Sequence, residues 1–162
     1  MRNQIDRRLY EIEAIYRDRF PFFVQVARAI VGDPERAVEA VQDGFASAIQ
    51  GRASFRGEGP LEAWLWRAVL NAARKATRRP LVEAGRETEE ASEQPALVVE
   101  ASPLVAGLPE RQRLVVFLRY YADLDYRTIA EALEVEVGTV SASLASAHAT
   151  IRKALREVEA DA

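Results

Sequence analysis

Cysteine is absent from the 162 residues, and histidine occurs once, at position 148. These two shortages exclude a disulfide framework, a thiolate nucleophile and a Cys/His zinc cluster. A Ser-His-Asp site would have to be built on His148 alone. No apolar run approaches the roughly 20 residues needed to span a bilayer. The opening stretch MRNQIDRRLYEIEAIYRDRF carries acids throughout and no apolar signal core, so a soluble, cytoplasmic protein without membrane insertion is expected. No strand-like alternation, internal repeat or paired carboxylates appear. GRASFRGEG lacks the lysine and the strand-loop-helix setting of a phosphate-binding loop. No catalysis is expected from the chain alone, and no cofactor or metal.

What is present belongs to a folded chain: 49% apolar and 29% charged residues is the balance of a globular protein, not of a disordered one. The net charge of −3 hides an asymmetry. Residues 1–80 hold 14 Lys+Arg against 10 Asp+Glu, residues 81–103 hold 1 against 6, and residues 104–162 hold 7 against 9. The chain therefore divides into a basic first domain (1–80), a flexible acidic linker (81–103) rich in Glu, Ala and Pro, and a mildly acidic last domain (104–162).

Helical periodicity dominates both domains. RRLYEIEAIYRDRF sets Leu9, Ile12, Ile15 and Tyr16 on one face, and Pro21 marks a break, so two short packed helices are predicted. Gly32 ends the second, Asp33 is an N-cap, and Pro34 occupies the first helical position, where its missing N–H costs nothing. The next helix runs to about Gln50, with Ala37, Val41, Phe45 and Ile49 inward and Glu39, Gln42 and Asp43 on another side. A glycine-rich turn follows, and Pro60 opens LEAWLWRAVLNAARKATRR. Residues two apart on a helix diverge by about 200°, so Trp64 and Trp66 cannot share a face. The stripe Leu61, Trp64, Leu65, Ala68 and Val69 makes Trp64 the core residue and Trp66 the exposed one. Arg67, Arg74 and Arg78 share a face. Beyond the linker, Leu108-Pro109 opens ERQRLVVFLRYYA, Asp125 caps DYRTIAEAL, and a turn at EVEV precedes GTVSASLASAHATIRKALREVEA. That spacing is a helix-turn-helix.

The ordered motifs resemble the extracytoplasmic-function (ECF) sigma factors of bacterial RNA polymerase. VQDGF is similar to the family's V-Q-[DE]-x-F, and FRGEGPLEAWLWRAVLNAARKATRR to its F-R-G…W-L-x-R-I-A-x-N…R-R pattern of region two. LPERQRLVVFLRYYADLDYRTIAEALEVEVGTV is similar to region four. The resemblance implies an all-α fold of two small helical domains, a region-two bundle and a C-terminal helix-turn-helix domain, joined by the acidic linker. It implies transcription initiation with core RNA polymerase, promoter DNA and an anti-sigma factor as partners. It places polymerase binding at Glu39, Val41, Gln42, Asp43 and Phe45, with Val41 and Phe45 inside. It assigns the unwound minus-ten strand to Arg52, Arg56, Trp66, Arg67, Asn71, Arg74, Lys75, Arg78 and Arg79, because aromatic faces carry unstacked bases and guanidinium groups neutralise phosphates. Arg78 and Arg79 equally complement the helix dipole. The acidic linker suits a cationic cleft of the polymerase or serves as a plain solvated tether.

One departure stands out. The family's recognition helix reads G-T-V-[KR]-S-R-x-x-R-A-R, whereas this chain has Ser141, Ala142, Ser143, Ser146 and His148 there, and residues 128–151 contain no Lys or Arg. Glu131, Glu134 and Glu136 add negative charge, and Glu134 stands where the family commonly has a turn glycine. The resemblance leaves Arg127, Thr128, Thr139, Val140, Ser141, Ser143, His148 and Arg152 for DNA contact, which implies weak or unusual minus-thirty-five recognition. The alternative is a sigma-like adaptor or decoy that binds polymerase or an anti-sigma factor without promoter-specific transcription.

Overall fold

The computed structural model describes residues 2–78 and 103–162; most of the 81–103 linker lies outside the described residues, as does Arg79. The described residues are helical, without strands. They form α1 (Arg2–Val31), α2 (Pro34–Gln50), a 3-10 turn (Arg52–Ser54), α3 (Leu61–Arg78), the single turn α4 (Pro103–Ala106), α5 (Glu110–Val116), α6 (Tyr126–Leu133) and α7 (Val137–Ala160). A π-helical turn, Phe117–Tyr121, continues α5.

The local signals explain the helix ends. Asp33 is extended at φ −108° and accepts hydrogen bonds from the Glu35 and Arg36 amides, at 2.8 and 3.2 Å. Two of the N–H groups that a helix start leaves unpaired are thereby satisfied. Asp125 does the same for α6, accepting from the Thr128 amide at 2.7 Å. Glu134 closes α6 in the left-handed region, φ 58° and ψ 43°, the conformation the turn requires although no glycine is there to adopt it cheaply.

Pro21 does not divide the first segment, contrary to the sequence expectation: α1 is a single helix of 30 residues with Pro21 inside it, exposed. Proline forfeits one backbone hydrogen bond and crowds the preceding turn. Here Ile12 on one side of it and Phe23, Val26 and Ala27 on the other are all buried against α2 and α3. Burying side chains of this size is worth about 1.5–3 kcal/mol each for the larger ones, enough to hold the helix through the interruption. Leu9, expected on the inner face, is only partly covered, at 37% exposure.

Aromatic packing ties the first three helices together. Phe23 stacks on Trp66 with centroids 3.9 Å apart, and meets Phe45 edge-on at 5.0 Å; Tyr16 approaches Phe45 edge-on at 4.9 Å. Gly44 lets α2 lie directly on α3: a Cβ there would stand 2.7 Å from the Val69 Cα. In the second domain Leu114, Leu118, Ile129, Val140 and Leu144 form the core of the helix-turn-helix. The buried residues of the two domains join in one continuous cluster.

Candidate nucleic-acid and polymerase interface

On α2, Glu39, Gln42, Asp43, Ala46 and Gln50 are exposed and recur at helical spacing, so they form one polar face. Val41 and Phe45 point the other way and are buried, at 0% and 3% exposure. They hold α2 in place and cannot themselves meet a partner, which removes these two from the polymerase-contact set. Ala46 and Gln50 share the exposed face with Gln42 and Asp43, at positions that the same periodicity reaches.

On α3 the two tryptophans exchange their expected places. Trp66 is fully buried on Phe23, its indole N–H donating to Glu62 Oε1 at 3.3 Å, so it cannot serve as an exposed stacking face. Trp64 is half-buried and tilts against Phe55 at 5.4 Å. Nearly every residue from 63 to 70 is apolar, so the helical period allows two registers. The buried set is Ala63, Leu65, Trp66, Val69, Leu70 and Ala73. Glu62, one turn before Trp66 and also bound by Arg19 at 3.0 Å, supplies the acceptor that a buried indole requires.

Between the polar face of α2 and α3 runs an open groove of 640 Å³, lined among others by Asp43, Ser47, Gln50, Trp64, Arg67, Asn71 and Lys75. It brings residues assigned to polymerase and residues assigned to DNA onto one surface. Asn71, Lys75 and Arg78 are exposed, and so is Arg56 on the preceding loop. Arg52 is half-buried and donates to the Ile49 carbonyl at the end of α2. Arg8 ties down the loop instead: its guanidinium donates to the carbonyls of Arg52 and Phe55, each at 3.0 Å, and lies over the Phe55 ring at 5.0 Å. Arg67 and Arg74 face the second domain.

In the helix-turn-helix, Thr128 and Val140 are buried, at 7% and 0% exposure, so neither side chain reaches a groove. Ser141, Ala142, Ala145 and Ser146 are exposed on the first turns of α7, with Thr139 and Ser143 partly so. His148 shares a hydrogen bond of 2.9 Å with the exposed Tyr120 hydroxyl. Arg127 pairs with Glu131 at 3.5 Å, and Arg152 donates to the His148 carbonyl at 3.3 Å. The Asp125 carboxyl is held below the usual carboxylate range, first by the backbone and then by the side-chain hydrogen bond of Thr128, with Arg127 and Arg119 adding to it.

Sequence profiles place these surfaces in a family. Sigma-70 region 2 matches residues 15–80, and Sigma-70, region 4 matches residues 104–156. The chain belongs to the ECF sigma factors. It is 27% identical over 154 residues to the ECF RNA polymerase sigma factor SigM of Mycobacterium tuberculosis, covering 90% of this chain and 78% of SigM. To the RNA polymerase sigma-E factor of Streptomyces coelicolor it is 28% identical over 159 residues, covering 94% and 90%. Its fold is similar to CnrH, solved in complex with the cytosolic domain of CnrY, with a TM-score of 0.69 over 90% of this chain and 88% of CnrH, at 20% identity. It is likewise similar to the sigma factor RpoE solved with the anti-sigma factor NepR from Bartonella quintana, with a TM-score of 0.66 over 90% and 97%, again at 20% identity. Its α3 carries Arg67, Arg74, Lys75 and Arg78, whereas residues 128–151, which include the first turns of α7, hold no Lys or Arg. None of its described helices is long and apolar enough to cross a membrane.

Proposed function

We propose that this ECF sigma factor meets core RNA polymerase through the exposed face of α2, at Glu39, Gln42, Asp43 and Gln50. The unwound minus-ten strand then lies along the α2–α3 groove. The observation that carries the reading is that groove, in which one half-exposed aromatic, Trp64, is flanked by Arg67, Asn71 and Lys75. Single-strand binding combines a stacking face with a cationic track in this way. Arg56, Arg74 and Arg78 extend the track, and Arg79, outside the described residues, continues it in sequence.

The second domain reads the minus-thirty-five region weakly. A bidentate arginine–guanine contact is worth roughly 1–3 kcal/mol of discrimination and each neutralised phosphate adds affinity; Ser141, Ser143 and Thr139 can supply only neutral hydrogen bonds. An anti-sigma factor is proposed as a regulatory partner, since both similar structures are complexes of that kind or with a cytosolic domain. The chain acts in the cytoplasm and contributes no catalytic group of its own. The linker of residues 81–103 joins the domains as a tether. The cation-free face of α7 supports a second reading, an adaptor that binds polymerase without directing start sites.

Run-off transcription with reconstituted core polymerase on a library of host genomic fragments separates the two. Defined starts that are lost in Asn71→Ala/Lys75→Ala, and core binding weakened in Gln42→Ala/Asp43→Ala, are expected. Core binding without any start-specific transcript would leave the adaptor.

A further inference from the structure

The loop between α2 and α3 is held from outside as well as from within. Backbone hydrogen bonds from Ser54 to Gly51, at 2.9 Å, and from Phe55 to Arg52, at 3.4 Å, close its first turn. Beyond that turn Gly57 and Gly59 hold φ of 78° and 91°, a region that glycine enters at no steric cost and leaves as easily. The outside anchor comes from α1. One nitrogen of Arg8, Nη1, donates to both the Arg52 and the Phe55 carbonyl, 44 and 47 residues away in sequence, and its guanidinium lies over the Phe55 ring. Phe55 in turn packs against Trp64 at 5.4 Å. Phe55, Arg56 and Trp64 line a recess of 180 Å³, and Trp64 also lines the α2–α3 groove. A chain of contacts thus runs from α1, through the loop, to the aromatic face of the groove.

We infer that Arg8 is a positioning residue for promoter reading: through Phe55 it fixes the face of Trp64 and the reach of Arg56, so that base discrimination in the minus-ten strand depends on a side chain of α1. This rests on the assignment of the α2–α3 groove to the strand made above. A stacking face discriminates between bases only when the residues behind it hold it to a fraction of an ångström. Arg8 is suited to that task because it is half-buried and always charged, and because its hydrogen bonds to carbonyls are charge-assisted. Its neighbour supplies the contrast. Arg7 is exposed and pairs with Glu11 one turn along α1. The polymerase-facing residues stand on α2, so loosening the loop changes which bases are accepted rather than whether holoenzyme assembles.

The test uses the full chain in holoenzyme. Run-off transcription on the genomic fragments supplies a start, and its minus-ten segment is then substituted one base at a time. Discrimination is the ratio of transcript from the parent template to transcript from the least tolerated substitution. Arg8→Ala is expected to lower that ratio about three- to tenfold, the range of one cation–π contact and one charge-assisted hydrogen bond. Core binding is expected to be unchanged. Fluorescence quenching by acrylamide, which is neutral, is expected to increase and to report Trp64, since Trp66 is fully buried. Both hydrogen bonds leave from one nitrogen, so Arg8→Lys is expected to restore part of each effect. Arg7→Ala removes the same charge one position away and is expected to match the unaltered chain. Phe55→Leu keeps apolar bulk without a ring face and is expected to resemble Arg8→Ala. The double variant is expected to lose no more than either single one, because the two residues act through one contact.

An Arg8→Ala chain that transcribes less from every template at an unchanged ratio has lost stability alone, and overturns the proposal. An equal fall of the ratio in Arg7→Ala, or losses that add in the double variant, overturns it too. If no defined start appears, or if Trp64→Ala and Asn71→Ala/Lys75→Ala leave every transcript unchanged, the groove assignment has failed and the role of Arg8 falls with it. If those variants lose transcription while Arg8→Ala leaves the ratio unaltered, the groove stands and the role of Arg8 alone is refuted.

Discussion

Gly44→Ala tests whether the close contact of α2 with α3 is as tight as its geometry indicates. The new Cβ would lie 2.7 Å from the Val69 Cα, 2.9 Å from its Cγ2 and 3.0 Å from its backbone nitrogen. Ordinary carbon–carbon contact is about 3.5–4.0 Å, and two of the three atoms are backbone, which no rotamer change can move aside. The helices must part, at a cost of about 1–3 kcal/mol for overpacking. Opposing this is the helix propensity of alanine over glycine, up to about 1 kcal/mol. Gly138→Ala separates the two effects, because nothing lies within 4 Å of a Cβ at that position in the first turn of α7. Urea unfolding is followed by far-ultraviolet circular dichroism for both variants, and by tryptophan fluorescence for domain one, since Trp64 and Trp66 both lie on α3. Gly44→Ala is expected to be less stable than Gly138→Ala by about 1–3 kcal/mol. Equal stability of the two would refute the reasoning. It would mean that α2 and α3 adjust freely, and that the groove between them has no fixed width.

Trp66→Ala removes the Phe23 stack and the Glu62 hydrogen bond from a fully buried site, and is expected to cost about 3–5 kcal/mol by the same unfolding measurement; Trp64→Ala is expected to cost clearly less. Asp125→Ala is expected to lose about 1 kcal/mol through its cap. Because the folded carboxyl of Asp125 titrates below its ordinary value, its contribution is present above the unfolded pKa of about 4 and is lost as pH falls through the folded value. Asp125→Asn keeps an acceptor, so its unfolding free energy is expected to show less of this acid-side loss. Ser141→Arg/Ser146→Arg restores cations on the exposed turns of α7. Duplex binding is expected to tighten, with the salt dependence steepening by about one for each added phosphate contact; an unchanged slope would show that this face does not approach DNA.

What local physics governs was legible in the residues. Asp33 and Asp125 reach amides two or three positions away, and Gly32 and Pro34 set the chain's course at their own positions, so helix ends followed from neighbours along the chain. The division of charge and the exposed face of α2 were readable for the same reason, since periodicity alone carries them. Glu134 was visible as a residue out of place for a turn, though not what it faces. Three features came only from the tertiary structure. The continuity of α1 through Pro21 depends on Ile12 and Phe23 being buried together. The exchange of Trp64 and Trp66 depends on Phe23 and on a carboxylate shared with Arg19, 43 residues from Glu62 in sequence. The engagement of Arg67 by Glu131 spans 64 residues. An apolar run rich enough to offer two registers, or an arginine with carboxylates in both domains, has no preferred partner until distant segments compete for it. The sequence determined which helices exist and which faces carry charge; packing between helices far apart in the chain decided which side chains remain for a partner.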